Sequence, residues 1–258
     1  MYFVDSHIHL SDKMYGENLK LMIDVLNNLN IQVCSVSVDL ESSSKNIILK
    51  KKYFENSELF KTFVGIHPEY ASLKHVETFN DFFLSNKEHI NGIGEIGLDP
   101  TYIHDNGHNT FDIQKIIFNH MLEIAEKNDK PVSIHSRRSL KDILQVLTTY
   151  RIKRVSFHWY DGNKSFLRKI NESGYYVSFG PYLLYSEDKK SLLKESDISL
   201  LLMETDGPVY YKRCFENIPT SPVFIISLIN SASIILKKNF NELADIIFNN
   251  SFNFLNVK

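Results

Sequence analysis

The segment YFVDSHIHL at residues 2–10 sets the pattern by which we interpret the chain: a short apolar run followed at once by side chains that can bind a metal ion. The run Tyr2–Asp5 predicts a β-strand. His7 and His9 are alternate residues of the extended segment that comes next, so their side chains point to the same side. HxH by itself is a weak signal, because a lone histidine is more often structural or solvated than a ligand. The interpretation therefore depends on the residues that come after the other strands.

Seven further apolar runs predict strands. Each run is short, and longer amphipathic stretches separate them, as in the parallel sheets of α/β proteins. The run Gln32–Val38 also fits the end of a helix by periodicity alone. The seven are Gln32–Val38, Lys61–Gly65, Gly92–Gly94, Pro131–Ile134, Arg154–Phe157, Tyr175–Phe179 and Leu200–Met203.

Helical patterns lie between these runs. Glu17–Leu29 and Phe111–Lys127 carry apolar residues at the spacing of a helix, and Pro222–Leu236 and Asn241–Leu255 predict closing helices. The 258 residues divide into eight units of roughly 32, the size of a βα unit in a barrel. No Pro/Gly/Ser-rich linker divides the chain. We therefore expect an α/β fold, a (βα)8 TIM barrel, as a single domain over residues 1–258.

The composition limits the possible substrates and cellular locations of the protein. The chain has 29 basic and 31 acidic residues and a formal net charge of −2, so any attraction of nucleic acid must be local. Cys34 and Cys214 lack CxxC spacing, which favours a reduced, cytoplasmic setting. The first residues lack the pattern of a signal peptide, and no apolar run approaches about 18 residues. We expect neither secretion nor membrane insertion.

Histidine and carboxylate side chains recur just beyond the predicted strands, where barrel enzymes build their sites. Because the carboxyl ends of the strands share one rim, we expect these side chains to meet. Imidazoles and carboxylates bind Zn, Mn or Fe, and a central carboxylate can bridge two ions. Two such ions activate water for displacement at phosphorus, so we predict a hydrolase. The candidate ligands are His7, His9, Glu95, His135, His158 and Asp206.

Six motifs occur together: DSHIHL at 5–10, GIHP at 65–68, GEIGLD at 94–99, IHSR at 134–137, HWYDG at 158–162 and METDGP at 203–208. As a set they resemble the TatD family of metal-dependent hydrolases, and the likeness runs from the first motif to the final helices. The resemblance implies an amidohydrolase-like barrel with two divalent ions, Mg, Mn or Zn. It also implies phosphodiesterase activity, typically as a deoxyribonuclease that trims single-stranded DNA in the 3′–5′ direction.

The resemblance further implies roles for single residues. Glu95 would bridge the ions, in the place where many other members of the wider superfamily carry a carboxylated lysine. We expect Asp206 to orient the attacking water or carry its proton. His67 has no ligand role in the family, and we expect it to face the substrate. The implied ligands are His7, His9 and Asp206 for the first ion, and His135 and His158 for the second.

A closer likeness lies in SIHSRR at 133–138, HWYDG, SFGPYLL at 178–184 and ETDGP at 204–208. These segments resemble the TatD-type proteins encoded in bacterial Qat anti-phage operons, which implies a defence component with partners from the operon. Two segments depart from the family pattern: PTYIHDNGHN at 100–109, and KRCFENIPTSP at 212–222 in place of an NEP-like loop. Both belong to the rim, so the departures bear on substrate choice.

Three further sites are candidates for contact with the substrate. An arginine can bind a phosphate through two parallel hydrogen bonds, and Arg137 directly follows a ligand motif. Tyr160 is expected to stack on a base, whereas Trp159, which alternates with His158, faces the helix layer. Lys189–Lys190 is expected on the rim, near a nucleic-acid backbone. Four other histidines follow no strand and are expected to be solvated or to lie on a helix surface: His89, His104, His108 and His120.

Two other functions are compatible with the same residues. The first is a hydrolase of a small amide, lactone or modified nucleobase, with which the near-neutral charge agrees. The second is a non-catalytic subunit of a defence complex. A nuclease would differ from both by binding nucleic acid with an affinity that falls steeply with salt.

Overall fold

The computed structural model describes residues 3–55, 57–103, 109–213 and 216–256. Eight parallel strands form one sheet whose spatial order follows the chain from the first strand to the eighth. Nearly all their residues are buried, as expected for a sheet covered by helices. The strands are β1 (Phe3–Ile8), β2 (Ile31–Ser35), β3 (Phe60–Val64), β4 (Gly92–Gly97), β5 (Val132–His135), β6 (Val155–Phe157), β7 (Tyr176–Phe179) and β8 (Leu201–Met203).

Helices follow the strands and cover the outside of the barrel. Thr110 begins the longest one, because its hydroxyl accepts the Ile113 N–H at 3.2 Å. None of the helices described is both long and apolar enough to cross a bilayer. They are α1 (Leu19–Leu29), α2 (Leu40–Tyr53), α3 (His75–Asn86), α4 (Phe111–Lys127), α5 (Leu140–Leu147), α6 (Lys164–Glu172), α7 (Glu187–Glu195), α8 (Phe224–Leu236) and α9 (Phe240–Leu255).

The barrel closes where the segment after β8 meets β1. The N–H of Asp206 donates to the carbonyl of His7 at 2.9 Å, and the N–H of His9 donates to the carbonyl of Gly207 at 2.7 Å. Buried Asp5 adds a side-chain link, since its Oδ1 accepts the Thr205 N–H at 2.9 Å. Closure therefore falls on the segments that carry three of the predicted ligands.

The structure confirms the predicted barrel. The ambiguous run at 32–38 is strand β2, which lies between β1 and β3. The helix predicted over Glu17–Leu29 begins at Leu19 after a single 3-10 turn. β1 and β4 extend further than predicted, so that His7 and Glu95 lie within strands rather than beyond them.

Candidate metal centre

Glu95 of β4 lies at the centre of the rim between two groups of histidines. Its Oε2 is 3.5 Å from His7 Nε2 and 3.4 Å from His9 Nε2. Its Oε1 is 2.9 Å from His135 Nδ1 and 2.7 Å from His158 Nε2. Each carboxylate oxygen thus faces a different pair of the predicted histidine ligands, which is the arrangement that a bridging ligand requires.

Asp206 completes the first group. Its Oδ1 lies 3.6 Å from His7 Nε2 and 3.4 Å from His9 Nε2. Its backbone has a φ of 50°, in the left-handed region, and the hydrogen bond to the His7 carbonyl fixes it there. The residue is 4% exposed. This carboxylate is therefore held at the wall of the site with little freedom to move.

The nitrogen of His7 that faces this group shows that the donors fit a cation. His7 is fully buried, and its Nδ1 lies 2.9 Å from the hydroxyl of Ser133, which can accept its proton. Burial lowers the pKa of His7 to about 4, so the ring is neutral near pH 7. Its Nε2 is buried without a hydrogen-bond partner among the described residues and faces two carboxylates. A divalent ion would satisfy all three groups.

The second group is oriented by two buried carboxylates that the sequence analysis did not single out. Oδ2 of Asp99 lies 2.8 Å from His135 Nε2, which is hydrogen-bond distance. Oε1 of Glu204 lies 3.9 Å from His158 Nδ1, too far for a hydrogen bond, so Glu204 acts on that ring through its charge. In both histidines the other nitrogen points to Glu95. A hydrogen-bonded carboxylate such as Asp99 fixes the tautomer of a metal-binding histidine. Asp99 lies in the motif GEIGLD and Glu204 in METDGP, and this position within a motif is the feature of the sequence that could have identified them.

The charges of the second group support one another. Burial acts to raise the pKa of Glu95, but nearby His158 and His67 and the hydrogen bonds from His135 and His158 outweigh it and hold the pKa well below 4.5. Burial likewise acts to lower the pKa of His158, but Glu95 and Glu204 raise it well above 6.5. Glu95 is therefore an anion over the whole physiological range of pH.

His67, in the segment after β3, also approaches this carboxylate but in a different way. It is 5% exposed, and its Nε2 lies 3.5 Å from Glu95 Oε1. Its Nδ1 accepts the N–H of Glu69 at 3.2 Å. Burial lowers the pKa of His67 to about 3, so the proton of the neutral ring is on Nε2. Its distances would also allow a place in a metal group with Glu95 and His135, but this tautomer makes it a hydrogen-bond donor.

An open cavity of about 1530 Å³ lies above the centre. His67 and Arg137 line it, Arg137 as an exposed side chain directly after β5. Lys189 also lines it, but this residue is 8% exposed, and its ammonium donates to the Tyr160 carbonyl and, at 2.7 Å, to Asp161 Oδ1. The structure does not support the expected contact of Lys189–Lys190 with a nucleic-acid backbone, because the Lys189 charge is paired within the wall and the Lys190 ammonium donates to Glu187 Oε1 at 2.7 Å.

The structure also contradicts the expectation for Tyr160. This side chain is 1% exposed and packs in the core, and its hydroxyl donates to the Asn163 carbonyl at 2.6 Å. Trp159 lines the cavity instead. The reason is its φ of 42°, which breaks the alternation of an extended chain.

Two of the four histidines expected to be solvated, His89 and His120, lie away from the centre. His89 and His120 are half-buried on helical segments. His104 and His108 lie outside the described residues, as does Cys214. The two segments that depart from the family pattern are described only in part, over 100–103, 109, 212–213 and 216–222.

Known proteins resemble this chain over nearly its whole length. The family model described as TatD related DNase matches residues 4–256. The uncharacterized metal-dependent hydrolase MJ1582 of Methanocaldococcus jannaschii is 26% identical over 254 residues, which cover 98% of this chain and 96% of that protein. Human deoxyribonuclease TATDN3 is 25% identical over 218 residues, which cover 80% of this chain and 77% of that protein.

Solved structures show the same barrel. The TatD homologue YJJV of Escherichia coli K12 superposes with a TM-score of 0.87 at 21% identity, over 99% of this chain and 98% of that one. An uncharacterized amidohydrolase of Saccharomyces cerevisiae superposes with a TM-score of 0.81 at 15% identity, over 98% of this chain and 99% of that one. At these identities the two structures support the fold alone.

Proposed function

Because the chain belongs to the TatD-related DNase family of metal-dependent hydrolases, we propose that it is a deoxyribonuclease that uses two divalent ions. The placement of Glu95 carries the proposal. One oxygen faces His7 and His9, and the other faces His135 and His158. A single carboxylate between two imidazole pairs supports two adjacent ions more directly than it supports one.

Each residue of the centre would have its own role toward the two ions or the substrate. Glu95 would bridge, and when bound the two ions would supply a nucleophilic hydroxide and stabilise charge at phosphorus. Asp206 would orient the attacking water with the carboxylate oxygen that does not face the imidazoles, and would take up its proton. His67 would donate its Nε2 proton to a phosphate oxygen. The remaining ligands are His7, His9 and Asp206 on one side and His135 and His158 on the other.

The cavity supports a polymeric, anionic substrate. Its volume of about 1530 Å³ exceeds the roughly 300–1,000 Å³ of ordinary small-molecule pockets. The segment after β5 presents Arg137, Arg138 and Lys141 as exposed side chains on its wall. These cations supply the local attraction that a chain of net charge −2 requires. We assign phosphate binding to Arg137, whose guanidinium can hold two oxygens of one phosphate.

The finer specificity in the proposal is 3′–5′ exonuclease activity on single-stranded DNA. The test is to strip the protein with a chelator and reload it with Mn²⁺, Mg²⁺ or Zn²⁺. Hydrolysis of single-stranded DNA, duplex DNA and RNA, each labelled at the 5′ end, is then followed on gels. We expect a ladder that shortens from the 3′ end of single strands, with an affinity that falls steeply with salt. A Glu95→Gln protein, purified in the same way, controls for contaminating nucleases.

Two outcomes would overturn the proposal. If no nucleic acid were hydrolysed with any ion while a nucleoside-type amide were, the chain would be a small-molecule hydrolase. If Glu95→Gln were as active as the wild type, the observed activity would not belong to this centre.

The role of Arg137 has its own control. We expect Arg137→Ala to raise KM with little change in kcat, because the lost contact is made to ground state and transition state alike. Arg151 is also exposed but precedes β6, at the opposite end of the barrel. Equal effects of Arg137→Ala and Arg151→Ala would contradict the assignment.

The motifs shared with TatD-type proteins of Qat operons support a cellular setting for the activity. In this part of the proposal the enzyme acts in the cytoplasm as a component of anti-phage defence, with partners encoded beside it. The test uses cells whose operon encodes either the wild-type or the Glu95→Gln protein. These cells are infected with phage and their survival is compared. Full protection by Glu95→Gln would show that the chain contributes as a non-catalytic subunit.

A further inference from the structure

Three aromatic rings form a group on one wall of the cavity. Trp159 and Tyr211 are nearly parallel, with ring centroids 5.2 Å apart and an interplanar angle of 23°. Tyr182 lies 5.4 Å from Trp159 and 5.3 Å from Tyr211. Tyr211 is 3% exposed and supports the group from behind, whereas Trp159 and Tyr182 are half-buried and line the cavity.

This aromatic group is tied to the metal centre through the chain. Trp159 directly follows His158, a ligand of the second group. Tyr211 lies five residues after Asp206, and its hydroxyl donates to the Thr205 carbonyl at 3.1 Å. Two of the three rings, Trp159 and Tyr211, therefore belong to the segments that carry His158 and Asp206, while Tyr182 lies in the segment after β7. A flat molecule on Trp159 would lie beside the phosphodiester at the centre.

The backbone at Trp159 is held in an unfavourable conformation. A φ of 42° is rare for a bulky residue, and such strain persists only where the surroundings impose it. Here Glu204, which is fully buried, accepts the Trp159 N–H at 2.5 Å and the Ser178 hydroxyl at 2.5 Å. The strained turn directs the indole to the cavity while Tyr160, the next residue, enters the core.

Resting on the proposed function, we propose that the aromatic group binds an unpaired nucleobase of the substrate strand, stacked on Trp159 next to the bond that is cleaved. Every base has an aromatic face, so a stacking surface accepts any sequence but requires an unpaired base. The group would thus give the enzyme its preference for single strands, while Arg137 and the ions bind the phosphates.

The experiment pairs changes in the ring with changes in the substrate. Trp159→Phe keeps a flat ring and Trp159→Leu removes it while staying apolar. Each is compared with wild type on a thymidine oligonucleotide and on the same oligonucleotide with abasic residues at the 3′ end. We expect Trp159→Leu to lower kcat/KM about tenfold on the base-bearing strand, and Trp159→Phe to lower it less. On the abasic strand all three proteins should be alike, and thermal melting checks that each is folded.

Fluorescence gives a second readout that needs no catalysis. Trp159 is the only tryptophan of the chain, so its emission reports this ring alone. In the metal-free protein we expect the thymidine oligonucleotide to quench the emission, and the abasic oligonucleotide and inorganic phosphate to leave it unchanged.

The outcomes separate the inference from the function on which it rests. If DNA is hydrolysed but Trp159→Leu affects both substrates equally or neither, the inference is overturned and the nuclease stands. If no nucleic acid is hydrolysed, the proposed function fails. In that case equal quenching by the two oligonucleotides, or none, overturns the inference as well.

Discussion

Asp99→Asn tests how the second half of the centre is oriented. In the structure Oδ2 of Asp99 accepts from His135 Nε2 at 2.8 Å, while Oδ1 accepts the N–H and hydroxyl of Thr101 at 2.8 and 2.6 Å. Asparagine keeps Oδ1, which accepts from Thr101, and replaces Oδ2 by an NH2 group that donates a hydrogen bond to His135 Nε2. His135 then accepts at Nε2 and carries its proton on Nδ1, the nitrogen that faces Glu95. The lone pair required to bind an ion is lost.

The size of the effect can be worked out from these contacts. Loss of an outer carboxylate partner costs about 10–100-fold in metal affinity, or about 1.4–2.7 kcal/mol. The reversed tautomer places Asp99→Asn at the upper end of this range. Asp99→Ala leaves His135 free to donate to water at Nε2, so it should bind metal better than Asp99→Asn. Its folding stability should instead be lower by about 1 kcal/mol, because the contacts to Thr101 are lost.

The assay is calorimetric titration of the chelator-treated proteins with Mn²⁺, together with thermal melting. We expect the weaker of two binding events to fall below detection in Asp99→Asn, with a melting temperature close to wild type. If Asp99→Asn bound both ions with wild-type affinity, or bound them better than Asp99→Ala, the assignment of His135 Nδ1 as the ligand atom would be wrong.

Three further outcomes are expected from the geometry. Glu95→Gln should abolish hydrolysis and reduce bound metal by elemental analysis while the barrel remains folded by circular dichroism; full metal occupancy would count against a bridging role. Gly97→Ala should unfold the protein at lower temperature and weaken metal binding, because φ is 152° and an added Cβ would lie 1.9 Å from the His135 carbonyl; an unchanged melting curve would contradict this. Burial raises the pKa of Asp5 to about 8, from 3.8. The folded metal-free protein therefore holds a proton that the unfolded chain releases, and its stability should fall as pH rises from about 4 to 8. In denaturant melts the free energy of unfolding of Asp5→Asn should depend less on pH than that of the wild type. An equally steep dependence on pH would exclude Asp5 as the cause.

The barrel and the convergence of the candidate ligands could be predicted because both depend on periodicity and order along the chain. Parallel strands place their carboxyl ends on one rim, so His7, Glu95, His135 and Asp206 had to converge once the strands were located. The apolar runs located them to within a few residues. Which carboxylate oxygen faces which imidazole depends on side-chain direction, and only the structure supplies it.

The errors have local causes. Tyr160 was expected at the cavity and Trp159 in the helix layer because an extended chain alternates its side chains. One residue in the left-handed region reverses that assignment, and no residue type in HWYDG signals it. Asp99 and Glu204 lie next to a histidine of a different segment, so their positions at the centre depend on contacts between residues that are distant in the sequence.

The two backbone hydrogen bonds that close the barrel have a consequence for synthesis of the protein. They join His7 and His9, near the first residues made, to Asp206 and Gly207, which come after the eighth strand. A nascent chain cannot assemble the first ligand group until the ribosome has passed residue 207. Ion binding then stabilises the contact that completes the barrel, since a ligand favours the state that binds it. A partly synthesised chain should consequently lack hydrolytic activity.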